Sequence, residues 1–365
     1  MLYYLLYPLR DVFSGFNVLR YITFRAAMAA VTAMLLGILL GPFVIRKLYE
    51  LKAGAPLRKE EFFALHAAHK NKQGVPTMGG ILILIAIIIP TLLWVDILNV
   101  NVAIILGATV WLGILGVADD LAKVRRRGAG GISAKRKFFW QILLGVVVGT
   151  VLVALPQKSD YATKLSIPFW KHPVVDLGVA YVILTVFILV GSSNAVNLTD
   201  GLDGLAIGCS VMAAMAYGLI AYLAGHANFA RYLNIQYVPG SGELSVFCAA
   251  MLGAGLAFLW YNAHPAQLFM GDTGSLALGG AVGVMAILVK KELLLLVVGG
   301  IFVMEAVSVI LQVLSYKTTG KRIFLMTPIH HHFEMKGWPE TKVTTRFWIL
   351  ASVFALLSLA TLKLQ

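Results

Sequence analysis

Long apolar runs, separated by shorter polar segments, recur along the whole chain. A helix needs roughly 20 apolar residues to cross the hydrocarbon core of a bilayer, and ten runs come close to that length. They lie at 22–46, 76–95, 99–118, 138–155, 174–192, 203–224, 245–262, 273–289, 292–316 and 344–363. The pattern predicts an all-α integral membrane protein, a polytopic bundle of about ten transmembrane helices forming a single domain over residues 1–365.

The composition supports this prediction and argues against an ordinary soluble enzyme. Of the 365 residues, 59% are hydrophobic and only 13% are charged, and the mean hydropathy is +0.84. Soluble domains are roughly half apolar and a quarter charged. Residues 1–25 mix aromatic and charged positions and lack a cleavage-site pattern, which favours an interfacial helix over a removed signal peptide.

The net charge of +13 is unevenly divided between the two sides of the predicted bundle. Loops on one side, at 46–75, 119–137 and 317–343, carry 19 Lys and Arg, whereas loops on the side of the termini carry 6. Cytoplasmic loops of membrane proteins collect Lys and Arg. We therefore expect these three segments to be cytoplasmic and both termini to be periplasmic.

Two adjacent acids, Asp119 and Asp120, follow the third apolar run. Neighbouring side chains on a helix point about 100° apart, so the two carboxylates cannot act identically. A solvated helix end is the simpler interpretation, but acids at a helix C-terminus oppose the helix dipole, which favours a functional one. The lysines that follow, Lys123, Lys135 and Lys137, either contact phosphates or anchor the topology.

Four polar residues recur every three positions after the fifth run, at Asn194, Asn197, Asp200 and Asp203. This spacing predicts a polar stripe along one helix face or along its unwound end. Helix capping and a glycine turn would explain one aspartate, but not four aligned polar groups. The loop around the stripe and the loop at 263–272 contain acids, Gly and Asn but no Lys or Arg.

Two further polar segments have both a structural and a chemical interpretation. The stretch from Lys72 through Thr77 to Gly80 is either a basic loop before a helix that starts with proline, or a glycine-rich anion cradle. Asp272 is flanked by Gly271 and Gly274. It is either the N-cap of the next helix or a carboxylate that holds a metal ion.

Three consecutive histidines, His330, His331 and His332, stand in the last basic segment. From a regular helix or strand they cannot all face one metal ion, because zinc sites space their ligands. Imidazoles can also hydrogen-bond phosphates, so a generic metal tract and a phosphate contact both remain open.

Taken together, the polar clusters predict phosphoryl transfer at the cytoplasmic membrane surface. Carboxylates with phosphate oxygens suit Mg²⁺, and lysines and histidines suit the phosphates themselves. The P-loop pattern GxxxxGK[ST] is absent from the sequence, so a nucleotide would not be held by a P-loop. A substrate reached from this surface could be a lipid phosphate.

The order and spacing of these motifs resemble the polyprenyl-phosphate N-acetylhexosamine-1-phosphate transferase superfamily over essentially the whole chain, and most closely its bacterial cell-wall branch. The motifs are Pro76–Gly80, Asp119–Asp120, Asn194–Asp203, Phe269–Asp272 and His330–Glu334. The histidine segment is the most specific, because relatives that use UDP-N-acetylglucosamine differ there. Val75 departs from the Thr that the family pattern has at this place.

The resemblance implies a reaction, a cofactor and a location. UDP-MurNAc-pentapeptide and undecaprenyl phosphate would give undecaprenyl-diphospho-MurNAc-pentapeptide, known as lipid I, and UMP. The enzyme would use Mg²⁺, would lie in the bacterial cytoplasmic (inner) membrane during peptidoglycan synthesis, and would form a homodimer. No nucleic acid partner is implied.

The resemblance also implies roles for individual residues. Asp272 resembles the Mg²⁺ ligand, and it joins Asp119, Asp120 and His330 as the catalytic set. The residues that resemble substrate-binding positions are Lys72, Thr77, Lys123, Lys135, Lys137, Asn194, Asn197, Asp200, Asp203, Phe269, His331 and His332. Whether the transfer is direct or passes through a phospho-enzyme aspartate stays open at this stage.

Two other functions compete with this prediction. The same chemistry with UDP-N-acetylglucosamine is the nearer alternative, and the histidine segment argues against it. A membrane transporter is the alternative from a different class, since transporters place ionisable groups near the bilayer midplane. Only Glu305 is a clear mid-span acid, and we interpret it as a residue that faces the bundle interior and fixes packing.

Overall fold

The computed structural model describes residues 1–51, 74–126, 130–155, 161–167 and 175–363. In chain order, the α-helices are α1 (Leu2–Leu6), α2 (Ile22–Glu50), α3 (Gly80–Trp94), α4 (Val100–Arg125), α5 (Ala134–Ala154), α6 (Tyr181–Thr199), α7 (Leu205–Ala224), α8 (Ala227–Leu233), α9 (Gly242–Asn262), α10 (Gly271–Leu288), α11 (Leu295–Val298), α12 (Gly300–Thr319), α13 (Ile329–Met335) and α14 (Glu340–Ala360). Two short antiparallel strands, β1 (Lys164–Leu165) and β2 (Val175–Asp176), form a hairpin before α6.

The predicted all-helical membrane bundle is confirmed. Nine helices within the described ranges are long and apolar enough to cross a membrane, and α3 is a shorter apolar helix of 15 residues. These ten correspond one to one with the ten predicted runs. The side of the membrane on which the termini lie stays a prediction of the charge distribution.

Several predicted boundaries were wrong. The span expected at 174–192 lies at Tyr181–Thr199, because β2 takes up the start of the apolar run and the helix continues through Asn194 and Asn197. The run at 292–316 is divided, with α11 ending before Gly299 and α12 starting at Gly300. At the N-terminus, α1 and two 3₁₀ segments replace the single interfacial helix we expected.

Helix α10 lies at the centre of the bundle. Of the residues in its most apolar segment, 89% are buried inside the protein. In the corresponding segments of the peripheral helices α2, α12 and α14, only 28% are buried. It packs against α3, α4, α6 and α7, while α9 fills the space between α2, α3 and α7. The residues at the two ends of α10 are therefore held in place by several other helices.

Small residues allow the helices around α10 to approach very closely. A β-carbon on Gly80 of α3 would lie 2.0 Å from the backbone nitrogen of Gly274, and one on Gly116 of α4 would lie 2.4 Å from the carbonyl oxygen of Asp272. Neither position can carry a side chain without moving a backbone. Close contact through small residues is how helices gain packing energy inside a membrane, and here it fixes the N-terminus of α10 against α3 and α4.

A buried charged group lies just beyond the C-terminal end of α10, at the other end of this helix from Asp272. Nζ of Lys290 is 2.8 Å from Glu292 and donates to the Tyr181 hydroxyl and to the carbonyl of Ala162, at 2.7 and 3.0 Å. Lys291 is also buried. These contacts join α10 to the β-hairpin segment and to the start of α6.

Candidate active site

Three carboxylates from two helices meet at one end of the bundle. Asp119 and Asp120 lie in the last two turns of α4, and Asp272 lies in the first turn of α10. One oxygen from each lies within 4.8 Å of the others, and all three residues are buried. We refer to Asp119, Asp120 and Asp272 as the acidic cluster. Like charges this close repel one another unless cations lie between them.

Two lysines supply the positive charge of the acidic cluster. Nζ of Lys123 lies 2.7 Å from an oxygen of Asp119 and 2.7 Å from one of Asp272. Lys137, in the first turn of α5, pairs with Asp272 and lies 3.9 Å from Asp119. Both lysines were predicted to contact phosphates, and the structure places them at the carboxylates that a metal ion would also use.

The two adjacent aspartates have different surroundings, as the helical geometry predicted. Asp120 accepts hydrogen bonds from the amides of Asp272 and Thr273, at 3.2 and 2.9 Å, and from the Thr273 hydroxyl at 2.8 Å. It therefore caps the N-terminus of α10, where a negative charge is stabilised by the helix dipole. Asp119 faces Lys123 and accepts the amide of Ile132 at 2.8 Å.

The segment at 76–80 is attached to the segment that precedes α10. Three backbone hydrogen bonds of 2.8 to 2.9 Å join residues 76–80 to residues 269–270. Oγ1 of Thr77 is 2.9 Å from the place that a β-carbon on Gly271 would take, and Phe269 is half-buried. The structure thus brings Thr77 and Phe269, both predicted substrate contacts, to the edge of the acidic cluster.

The predicted polar stripe is divided by the end of α6. Asn194 and Asn197 are helical, whereas Asp200 and Asp203 lie in the turn before α7. The Asn194 amide donates to Gln141 at 2.9 Å, and Asn197 accepts the Ser275 hydroxyl at 2.8 Å. Both asparagines therefore join neighbouring helices near the site.

Asp200, at the start of the turn before α7, lies near the acidic cluster. Its carboxylate accepts the backbone amide of Gly271. Burial, together with the negative charges of Asp272 and Asp120, raises the pKa of Asp200 to about 7. Near neutral pH its carboxyl group can therefore donate a hydrogen bond as well as accept one.

Asp203 forms a second polar group with residues that the sequence did not single out. Its buried carboxylate lies 3.1 Å from Nδ1 of His264 and accepts the amide of Ala266 at 3.1 Å. Glu340, at the start of α14, lies 3.5 Å from His264 and accepts the amide of Asp203 at 2.7 Å. The group thus brings two carboxylates and an imidazole together beside the turn before α7.

The three histidines all lie in α13 and have three different environments. His330 is fully buried, with Nδ1 3.1 Å from Glu305. Nδ1 of His331 is 2.6 Å from Glu334. Nδ1 of His332 accepts the amide of Leu325 at 3.1 Å, which requires that nitrogen to be unprotonated. Partial burial and the nearby charge of Lys336 lower the pKa of His332, which favours this neutral form.

The acidic cluster has the donor set of a divalent cation site. Mg²⁺ takes oxygen ligands and is commonly held by one or two carboxylates together with phosphate oxygens. Asp272 and Asp119 both direct an oxygen towards the position that the ammonium group of Lys123 occupies. These two residues would hold the ion, whereas Asp120 is already engaged by three donors of α10.

Some predicted residues fall outside this geometry, and others were missed. Lys72 lies outside the described residues, and Lys135 is exposed on the first turn of α5. Thr273, His264 and Glu340 were missed. His264 and Glu340 stand in the polar segments at 263–272 and 317–343, so their signal was present, but only the fold brings them to Asp203.

Comparison with known proteins identifies the family of the chain. The profile of Glycosyl transferase family 4 matches residues 102–290. Proteins called phospho-N-acetylmuramoyl-pentapeptide-transferase from Citrifermentans bemidjiense and Syntrophus aciditrophicus are each 52% identical, over the full length of both chains. One from Desulfatibacillum aliphaticivorans is 54% identical, again over both full lengths. Such identity over the whole length shows that the chain belongs to the phospho-N-acetylmuramoyl-pentapeptide-transferase family and is a multi-pass membrane transferase.

Proposed function

We propose that the chain transfers phospho-MurNAc-pentapeptide from UDP-MurNAc-pentapeptide to undecaprenyl phosphate, and so produces lipid I and UMP. The reaction would belong to peptidoglycan synthesis and take place at the inner face of the bacterial cytoplasmic membrane. One observation carries the proposal. Asp272, at the N-terminus of a buried helix, shares two lysines with Asp119, and this arrangement suits two phosphorylated substrates.

The residues of the cluster act by lowering repulsion between the substrates. Both the lipid phosphate and the diphosphate are anions, so their approach needs positive charge at the point of contact. Lys123 and Lys137 can turn from the carboxylates to phosphate oxygens, as point charges on flexible stems. Mg²⁺ bound at Asp272 and Asp119 would supply further charge neutralisation and polarise the phosphoryl group.

Direct attack by the lipid phosphate fits the chemistry of the nucleophile. A phosphate monoester has a second pKa of about 6, so it is largely ionised near neutral pH and needs no strong base. Catalysis of phosphoryl transfer then depends mainly on positioning and charge stabilisation. Asp120 accepts three hydrogen bonds from α10 and one of 3.4 Å from Lys123, which argues against it as a covalent nucleophile.

Direct attack has a simple test. The protein is incubated with UDP-MurNAc-pentapeptide labelled in the β-phosphate, without lipid acceptor, and is then denatured. We expect no label on the protein. Label retained on Asp119 or Asp120 would show a phospho-enzyme mechanism instead.

The turn before α7 would bind the nucleotide, and the histidine segment would select the sugar. Asp203, His264 and Glu340, which lie together, would provide the heterocycle contacts. His331 and His332 are half-buried on α13, where they contact Glu334 and the Leu325 amide. UDP-N-acetylglucosamine is the alternative donor, and a transporter is the alternative from another class.

Release of UMP by the purified protein in detergent tests the proposal. Mg²⁺ and undecaprenyl phosphate are supplied, with UDP-MurNAc-pentapeptide and UDP-N-acetylglucosamine in parallel reactions. Release from the first donor alone is expected. Release from the second alone would overturn the choice of sugar. If the protein is folded but inactive with both donors, the transporter function would be favoured.

A further inference from the structure

Glu305 is a fully buried acid on an otherwise apolar helix face. On α12 it follows Gly300, Ile301 and Phe302 as the next buried residue, and its side chain has no exposed surface. An unpaired carboxylate in such a place is costly, and a hydrophobic residue of similar volume packs as well or better. Packing alone therefore does not account for a carboxylate here.

The partner of Glu305 is His330. Oε1 of Glu305 lies 3.1 Å from Nδ1 of His330, and both side chains are completely buried. Oε2 accepts the backbone amide of His330 at 3.5 Å. Both oxygens of the Glu305 carboxylate thus face His330, which lies on α13, 25 positions further along the chain.

The opposite edge of the His330 ring faces the turn before α7. A β-carbon on Gly201 would lie only 2.3 Å from Nε2 of His330. Gly201 stands between Asp200 and Asp203, so Nε2 is directed at the turn that carries both aspartates. Oε1 of Glu305 and both ring nitrogens of His330 form no hydrogen bond among the described residues, so the carboxylate holds the ring by its contact with Nδ1 and through the His330 backbone amide.

We propose that Glu305 is a positioning residue for the transfer reaction. It lies against Nδ1 of His330, accepts the backbone amide of the same residue, and so fixes the ring with Nε2 facing the Asp200–Asp203 turn. The inference rests on the proposed function, in which that turn binds the nucleotide, and extends it to a residue on a membrane helix. Carboxylates that orient histidines in this way typically change activity about 10- to 100-fold when they are removed.

A double-mutant cycle tests the inference with the full-length protein in detergent. The variants are Glu305→Gln, His330→Asn and the two combined, and the readout is kcat and KM for UMP release. We expect Glu305→Gln to lower kcat about 10-fold or more in the parent, and to change it less than about twofold in the His330→Asn background. Additive losses would show that Glu305 acts independently of His330 and would overturn the proposal.

Ser308→Ala is the matched control. Ser308 is buried one turn further along α12 and donates to the carbonyl of Glu305 at 2.7 Å, so its loss disturbs the same helix face. We expect activity within about twofold of the parent. A loss as large as that of Glu305→Gln would show that this face responds to any change, and would overturn a specific role for the carboxylate.

Nitrogen NMR of histidine-labelled protein in bilayers provides a readout that needs no turnover. The His330 resonances are identified by their absence in His330→Asn. We expect the ring-nitrogen resonances of His330 to move in Glu305→Gln, because the carboxylate that holds the ring is changed. Identical spectra would overturn the proposal. A parent that releases no UMP from either donor would instead refute the proposed function, and the spectra would then decide the role of Glu305 alone.

Discussion

The backbone amide of Asp272 donates a hydrogen bond of 3.2 Å to the carboxylate of Asp120. The predicted metal ligand is thereby fixed to the helix that carries the other two acids of the cluster. Asp120 also accepts the amide and the hydroxyl of Thr273. Asp120 therefore joins the two helices of the site, whereas its neighbour Asp119 faces the lysines.

We expect Asp272→Asn to abolish nearly all turnover. The substitution removes a charge from the centre of the acidic cluster and leaves Lys123 and Lys137 without their shared partner. Loss of a group that stabilises developing charge lowers kcat about 10²- to 10³-fold, and Asp119→Asn should lose less. UMP release measures both. Asp176→Asn, on the exposed β-hairpin, is the control that should stay active, and an active Asp272→Asn enzyme would remove Asp272 from the catalytic set.

Asp120→Asn should lower stability as well as activity. Three donors of α10 then lose a charged acceptor, and a hydrogen bond to a charged group contributes about 1.5–3 kcal/mol. We expect a lower thermal midpoint than in Asp119→Asn, which weakens one backbone hydrogen bond and an ion pair with the partly exposed Lys123. Thr273→Val removes only the hydroxyl, so its thermal midpoint should lie between those of Asp120→Asn and the parent. Equal midpoints for Asp119→Asn and Asp120→Asn would contradict the capping role.

Lys137→Met should tighten divalent cation binding while it lowers turnover. The ammonium group competes with a cation for Asp272, so its removal frees the carboxylate, but the phosphates lose a positive contact. Binding of Mn²⁺, followed by electron paramagnetic resonance, measures the first effect, and UMP release measures the second. Lys135→Met, on the exposed side of the same turn, is the matched control. Weaker Mn²⁺ binding in Lys137→Met would place the metal away from Asp272.

Removal of divalent cations should stop the reaction reversibly. EDTA should abolish UMP release, and added Mg²⁺ should restore it, because the carboxylate donor set suits a hard cation. The thermal midpoint should also rise on Mg²⁺ addition, since an ion that binds only the folded state stabilises it. In Asp272→Asn this rise should be lost. Full activity in EDTA would show that lysines alone neutralise the phosphates.

Stability should depend on pH through Lys291. Burial lowers the pKa of Lys291 to about 8, below its value of about 10.4 in an unfolded chain. Below pH 8 both states are protonated and the folded state bears the full penalty of a buried charge. Between pH 8 and 10 the folded state loses the proton first, so this contribution becomes more favourable by about 1.4 kcal/mol per pH unit.

Lys291→Met removes that penalty and should raise the thermal midpoint at pH 7. The gain over the parent should shrink towards pH 9, because the parent is then relieved by deprotonation. Lys317→Met, at an exposed position on α12, should show no such trend. A gain that is constant with pH would indicate that the lysine is neutral or solvated at pH 7.

The agreement between prediction and structure was best where the property is local. The ten apolar runs became ten helices, because the membrane requires every backbone polar group in a span to be satisfied within the helix. The different surroundings of Asp119 and Asp120 also followed from the helical period alone. The boundary at 174–192 failed because the strand at Val175–Asp176 pairs with Lys164–Leu165, a contact that hydropathy does not encode.

By itself, the sequence determined the membrane bundle and the family, since these depend on composition, spacing and motif order. Only the tertiary structure decided what each polar group faces. Glu305 was expected to fix packing and instead pairs with His330, while His264 and Glu340 join Asp203 from two other segments. The physical reason is that the direction of a buried side chain is set by the helices packed around it, which here arrive from distant parts of the chain.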